Sequence, residues 1–271
     1  MPADHEVYAY APLALVTAQV SLSYEPGLND ASALDTFAQL VRTHLPVLAK
    51  ESTPQFAVMF SPGEVPTPQV EQARPQVRAT NEARTVSVTL NSTALTLEAT
   101  EYVHFDGFAA VLGLCLEALE DTVTTIRVAR AGLRYIDEVR PPGLTATDEW
   151  RGWVNDALLS PLGLLPDCMP VGVNGVVGFQ VGEQSNIVFR WGEQQGSTVI
   201  SPFAAVRRPT PPEGRFMVLD ADAFWQPTPP QVVTTSELLD RFAMLHAPLS
   251  DVFEASLTDQ ARGLFRGVTD D

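Results

Sequence analysis

The stretch Thr125-Ile-Arg-Val-Ala-Arg-Ala-Gly-Leu-Arg-Tyr-Ile-Asp-Glu-Val139 decides the fold, because a pattern of strand, helix, several strands and helix starts again there. The pattern first begins in residues 10–23, where apolar and polar side chains alternate as in a half-buried strand. A doubled unit of this kind covers one face of each sheet with helices and leaves the other face free. We therefore predict an α+β fold of two similar units, residues 1–124 and 125–271, with largely antiparallel sheets and helices on one face.

Periodicity and turn residues predict the elements within each unit. In the first unit they predict a helix over 32–50 that Pro46 bends or ends, and a helix capped by Asp106 or Gly107 that runs to Thr122. Between these helices they predict a proline-rich loop from Pro62 and strands over 55–60, 76–79, 85–90 and 94–103. In the second unit, after the strand 126–139, they predict a helix over 148–159, strands over 171–181, 186–191 and 215–220, and two closing helices, 236–246 and, after a break at Pro248, onward to Phe265.

Composition and charge narrow the class of partner. The 271 residues carry 33 acidic and 17 basic side chains, a formal charge of −16, which opposes binding to a phosphate backbone. Two isolated cysteines, Cys115 and Cys168, provide neither a disulfide framework nor a four-thiolate zinc site. The first six residues lack the basic and apolar regions typical of a signal peptide, so we expect none, and the longest apolar runs are too short to span a membrane. We expect a cytoplasmic protein without direct contact to nucleic acid or membrane.

The sequence predicts no catalytic residue, no metal site and no cofactor. A Gly-x-Ser-x-Gly elbow is absent, and the glycines of residues 172–178 do not have the spacing of a dinucleotide loop. His246, Asp251 and Glu254 invite a metal or acid-base interpretation, but His246 precedes the expected break at Pro248 and no second histidine follows at helical spacing. We interpret these three residues mainly as a solvated helix face and keep them as weak contact candidates.

Alternation along the strand at 126–139 gives a second set of contact candidates. It places Tyr135 and Asp137 on one face and Arg134 and Glu138 on the other. If the second face is free of helices, Arg130, Arg134 and Glu138 form a polar contact site there. Cross-strand ion pairs worth a few tenths of a kcal/mol are the alternative interpretation of the same residues.

Three segments together resemble a sporadically distributed, functionally uncharacterised family of bacterial proteins of about this length. They are Gly132-Leu-Arg-Tyr-Ile-Asp-Glu-Val139, Leu245-His-Ala-Pro-Leu-Ser-Asp-Val-Phe-Glu-Ala-Ser-Leu-Thr-Asp-Gln-Ala-Arg262 and Pro12-Leu-Ala-Leu-Val-Thr-Ala-Gln-Val20. The chain departs from the family pattern at residues 102–107, where an aromatic-rich strand end is expected. The resemblance implies no established activity.

These observations favour a non-enzymatic binding or adaptor protein that uses an exposed sheet face or edge to hold a protein partner or to form a homodimer. One alternative is a small-molecule-binding protein or enzyme with a polar pocket between the two units. Another is a component of a bacterial defence or regulatory system. The sequence alone leaves open whether the units share one sheet.

Overall fold

The computed structural model describes residues 6–59, 67–201 and 204–267, and for residues 51–59 and 67–74 only the backbone path. The strands are β1 Leu13–Leu22, β2 Val47–Met59, β3 Thr67–Thr80, β4 Val86–Asn91, β5 Ala94–Ala99, β6 Arg127–Val139, β7 Asn174–Gly182, β8 Ser185–Gly196, β9 Gly214–Trp225 and β10 Gln231–Val232. The α-helices are α1 Ala31–Val41, α2 Phe105–Thr122, α3 Asp156–Leu159, α4 Thr235–Ser256 and α5 Asp259–Arg266. The predicted loop from Pro62 lies mostly outside the described residues.

The strands form one antiparallel sheet in which the two halves of the chain meet at its centre. The order is β2-β3-β4-β5-β1-β6-β9-β8-β7, and β10 pairs with the start of β6. In each half the chain leaves the first strand through helix or helical turns and returns by a meander whose last strand pairs with the first. The predicted α+β class is confirmed, and the sheet is continuous across the central β1–β6 pair.

One face of the sheet carries the helix layer and the core. Helix α1 packs on β3 and α2, and α4 packs on α2, β6, β8 and β9. The alternation predicted for the first strand is complete, since every second residue of β1 is buried: Ala14, Val16, Ala18, Val20 and Leu22. Burying each of these side chains removes apolar surface from water, at roughly 25 cal/mol per Å². The core therefore fixes which residues of the central strands face the helices.

Two predicted boundaries are wrong because long-range contacts override local pattern. Helix α1 ends at Val41, before the bend or end predicted at Pro46. The residues after Pro46, predicted as the last part of the helix, join β2, where Leu48 pairs with Ala79 of β3. The strand predicted to continue to residue 103 ends at Ala99. Helix α2 begins at Phe105, because the ring Nδ1 of His104 accepts a hydrogen bond from the Gly107 amide and caps the helix.

The second half shows two further corrections. The helix predicted over 148–159 is a 3-10 turn, Thr147–Gly152, followed by the single-turn helix α3, whose Asn155 cap separates them. Helix α4 continues through Pro248 and ends at Ser256, and Thr258 caps the following helix α5. A proline inside a helix costs about 3 kcal/mol. Burial of Leu245 and Leu249 on either side of Pro248 offsets this cost.

Candidate functional site

A cavity of about 610 Å³ opens where the two halves of the chain meet. Its walls come from the N-terminal segment 6–13, the β5–α2 connection at 100–105, the end of β6 and the middle of α4. The N-terminal segment is held across the opening because the Tyr10 amide donates to the Phe265 carbonyl at 2.9 Å and the Glu138 amide donates to the Pro12 carbonyl at 2.9 Å. Cavities of this size accommodate small organic molecules.

A row of hydrogen-bonded side chains crosses the floor of the cavity. The hydroxyl oxygens of Tyr102 and Tyr135 are 3.1 Å apart, and the Tyr135 hydroxyl lies 3.0 Å from Nδ1 of His246. The His246 ring stacks on Phe105 with centroids 4.4 Å apart. Burial raises the pKa of Tyr102 to about 12 and raises the pKa of Tyr135 well above its usual value. Both tyrosines are therefore neutral hydroxyls at physiological pH.

Asp137 is the most unusual group in the cavity wall. It lies on the helix-facing side of β6, opposite Leu219 of β9, and is only 6% exposed. Its carboxylate forms no hydrogen bond or ion pair with another of the described residues. Burial raises its pKa to about 8. Since isolated carboxylates are rarely buried without a partner, Asp137 is a candidate for contact with a ligand.

A second carboxylate stands at the outer wall. Glu254 accepts hydrogen bonds from the Tyr8 hydroxyl at 3.0 and 3.1 Å and from Nε of Arg262 at 3.0 Å. Burial, followed by the bond to Glu254, raises the pKa of Tyr8 to about 12. Tyr8 and Glu254 are 246 positions apart in the sequence, and their contact closes the wall formed by the N-terminal segment.

The predicted contact residues Arg130 and Arg134 lie on the helix-free face and form cross-strand ion pairs. Arg130 Nη2 donates to both Asp222 oxygens at 2.8 and 2.9 Å. Arg134 donates to Asp220 through Nε at 2.6 Å and Nη2 at 2.8 Å. The alternation of side chains along β6 is as predicted. The two arginines form cross-strand ion pairs, which was the alternative interpretation of these residues. These guanidinium groups lie on the opposite side of the sheet from the cavity.

Glu138 also lies on the helix-free side of the sheet, but its side chain is not exposed there. Its side chain is buried and accepts hydrogen bonds from the Thr198 hydroxyl at 2.6 Å and the Val199 amide at 2.9 Å. Arg140 and Arg208 donate to its other oxygen at 3.0 and 3.3 Å. Glu138 is thus an internal anchor for the β8–β9 connection, which covers this end of the sheet.

The C-terminal candidates separate into two groups. His246 and Glu254 both line the cavity, because α4 is continuous and the expected break at Pro248 does not occur. Asp251 is exposed and is not among the lining residues. Sequence reasoning missed Asp137, Tyr102 and Tyr8 as site residues. The available signal for Asp137 was an acidic side chain on the same strand face as Tyr135, where apolar residues are expected.

Within the described residues, no group of three or more histidine, cysteine or acidic side chains is arranged to hold a metal ion, and no helix is long and apolar enough to cross a membrane. No protein-family model matches the chain, and neither a curated protein nor a solved structure is significantly similar to it. The resemblance to the bacterial family stays a prediction, and the arguments about function rest on the geometry of the cavity.

Proposed function

We propose that the protein binds a small molecule in the cavity between its two halves. This is the second of the functions that the sequence suggested. Three features support it: the volume of about 610 Å³, the aromatic walls, and the convergence of polar groups from four separate parts of the chain. Such convergence requires the complete fold, because the N-terminal segment and α4 are distant in the sequence.

The observation that carries the proposal is the buried, unpartnered carboxylate of Asp137. Burial without a partner destabilises the folded chain whenever the carboxylate ionises. A residue that works against stability and points into a cavity is typical of a binding or active site. The raised pKa also suits a proton acceptor near neutral pH, so the same geometry is compatible with an enzyme.

The test is a thermal-shift screen with a chemically mixed library of small cations, neutral molecules and anions. Ser250 lines the cavity from α4, so Ser250→Phe fills the cavity and is expected to abolish the shifts seen with the native protein. Ser236 is exposed on the first turn of the same helix, so Ser236→Phe is the matched control and should keep them. A screen without ligands, or ligands that still bind the Ser250→Phe variant, contradicts the proposal.

A second candidate is a homodimer that pairs the β7 edges of two copies. β7 is the last strand of the sheet and has no charged residue between Asn174 and Gly182. Its exposed apolar side chains include Val176 at 65% and Phe179 at 50% exposure. Edge strands normally carry charges that prevent such pairing. Two copies of this acidic chain can approach at β7 without repulsion between side chains of the strand.

Light scattering of the purified protein tests the dimer. A lysine at the edge prevents pairing, so Phe179→Lys should convert dimers to monomers. Val47→Lys introduces the same charge on β2 at the opposite edge of the sheet and should leave the dimer intact. A native protein that is monomeric at every concentration contradicts the dimer and leaves the cavity proposal unaffected.

We also propose that the protein is cytoplasmic and does not contact a membrane directly. The formal charge of −16 disfavours direct contact with nucleic acid, because the phosphate backbone carries the same sign of charge. Fractionation of the native host checks the location. Recovery in the membrane fraction contradicts it.

A further inference from the structure

We propose that the ligand of the cavity is an organic cation, an ammonium or guanidinium head on an apolar body, whose charge pairs with the Asp137 carboxylate. This inference rests on the proposed function, because it names the chemical class of the molecule that the cavity holds. Charge, burial and the aromatic walls support it independently.

The charges of the wall favour a cation. The described residues that line the cavity include four carboxylates, Glu6, Glu101, Asp137 and Glu254, and no lysine or arginine. The two arginines behind the wall are already paired, Arg262 with Glu254 at 3.0 Å and Arg266 with Glu6 at 2.5 Å. An anionic ligand finds no free guanidinium among these groups and meets the field of the carboxylates.

The Asp137 carboxylate gives the cation a specific position. It is buried, it points into the cavity wall, and no described side chain neutralises it. A cationic head completes an ion pair there and satisfies the carboxylate oxygens. A neutral ligand leaves the carboxylate either unpaired or protonated. The site therefore distinguishes a cation from an uncharged molecule of the same shape.

The aromatic side chains complete the expected environment of an organic cation. Tyr102 and Tyr135 meet edge to face with centroids 5.7 Å apart, and Tyr8 and Phe253 meet similarly at 6.3 Å. Ring faces attract ammonium and guanidinium groups, most strongly where water is excluded. The hydrocarbon part of the ligand packs against the same rings, which accounts for walls that are mostly apolar around few charges.

Binding of a cation is coupled to the release of a proton from Asp137. Asp137 has a pKa of about 8, so at pH 7 a cation must displace the proton that the carboxylate carries. The other titratable groups around the cavity are Glu6, Tyr8 and Tyr10 of the N-terminal segment and Glu101, Tyr102 and His104 of the β5–α2 connection. Tyr135 of β6 and His246 and Glu254 of α4 complete the set.

The experiment compares, by calorimetry, probes that share a phenyl ring: benzylammonium and benzyltrimethylammonium as cations, benzyl alcohol as the neutral analogue of benzylammonium, and benzoate as the anion. We expect the cations to bind at least about tenfold more tightly than benzyl alcohol. For benzyltrimethylammonium, whose charge is fixed, the affinity should rise roughly 50-fold between pH 6 and pH 8 as Asp137 ionises. Asp137→Asn should remove the preference for cations and this rise in affinity with pH.

Asp222→Asn removes one carboxylate from the opposite face of the sheet and is the control for net charge. Its affinities should equal those of the native protein. The inference is overturned if benzyl alcohol or benzoate binds as well as the cations, or if no cation binds at millimolar concentration. If only neutral or anionic ligands bind, and Ser250→Phe abolishes their binding, the cavity proposal stands and only the inference of a cationic ligand is refuted. A library without any ligand refutes both.

Discussion

Replacing Asp137 by asparagine should stabilise the protein, and the gain should grow with pH. The carboxylate has a pKa of about 8 in the folded chain because burial disfavours its charge, whereas an unfolded chain releases the proton near pH 4. Because the unfolded state loses its proton first, stability falls as pH rises from about 4 to about 8 and is constant outside this window. Asparagine keeps the shape and stays neutral throughout.

The size of the effect follows from the separation of the two pKa values. Each unit of separation corresponds to about 1.4 kcal/mol. Ionisation of Asp137 therefore costs roughly 1 to 2 kcal/mol of folding free energy at pH 5 and roughly 4 kcal/mol at pH 7. The free energy of unfolding of Asp137→Asn should exceed that of the native protein by these amounts. The difference between the two proteins should therefore widen by roughly 2 to 3 kcal/mol over these two pH units.

Urea unfolding followed by tryptophan fluorescence at several pH values measures the difference directly. Asp222→Asn is the control, because its carboxylate is paired with Arg130 at 2.8 Å and its loss should lower stability instead of raising it. A native protein and an Asp137→Asn variant with parallel pH profiles would show that Asp137 titrates normally. A variant less stable than the native protein at pH 7 would show that the carboxylate has a stabilising partner. Either result refutes the reasoning.

Three further changes test other parts of the structure. A Cβ at Gly175 of the edge strand β7 would clash with the Trp191 ring, so Gly175→Ala should lower the free energy of unfolding in urea by about 1 to 3 kcal/mol and shift the tryptophan emission. Unchanged stability contradicts this packing. Glu138→Ala leaves Arg140 and Arg208 without their carboxylate partner and should lower the free energy of unfolding by roughly 3 kcal/mol. Limited proteolysis should then cleave the β8–β9 connection faster than in the native protein, and an unchanged cleavage pattern contradicts the prediction. Burial raises the pKa of Cys115 to about 12 while Cys168 is exposed, so a maleimide should modify one thiol of the native protein and both thiols after unfolding. Two thiols that react rapidly in the native protein contradict the burial of Cys115.

The sequence predicted the sheet better than the helices. Strict alternation in β1 identified the buried face of the central strand, because only that register places every second apolar residue against the helices. The end of α1 and the path of β2 could not be predicted locally, since residues 47–50 pair with residues 77–80 across the chain. Similar reasoning applies to α4, where two buried leucines hold the helix together across a proline.

The same proline explains why the residues that line the cavity were not predicted together. A break at Pro248 would separate His246 from Glu254, whereas the continuous helix places both along the wall. Alternation did place Asp137 beside Tyr135 on one strand face. It could not show that the N-terminal segment crosses this strand end and encloses the carboxylate, because that contact joins residues about as far apart in sequence as the chain allows.

Proton release on binding of benzyltrimethylammonium tests the central claim most directly, because this cation carries no proton of its own. Calorimetry at pH 7 in two buffers of different ionisation enthalpy counts the protons. A pKa of about 8 predicts release of about 0.9 proton per bound cation by the native protein and almost none by Asp137→Asn. Binding without proton release by the native protein, or equal release by both proteins, contradicts the role of Asp137 as the partner of a cationic ligand.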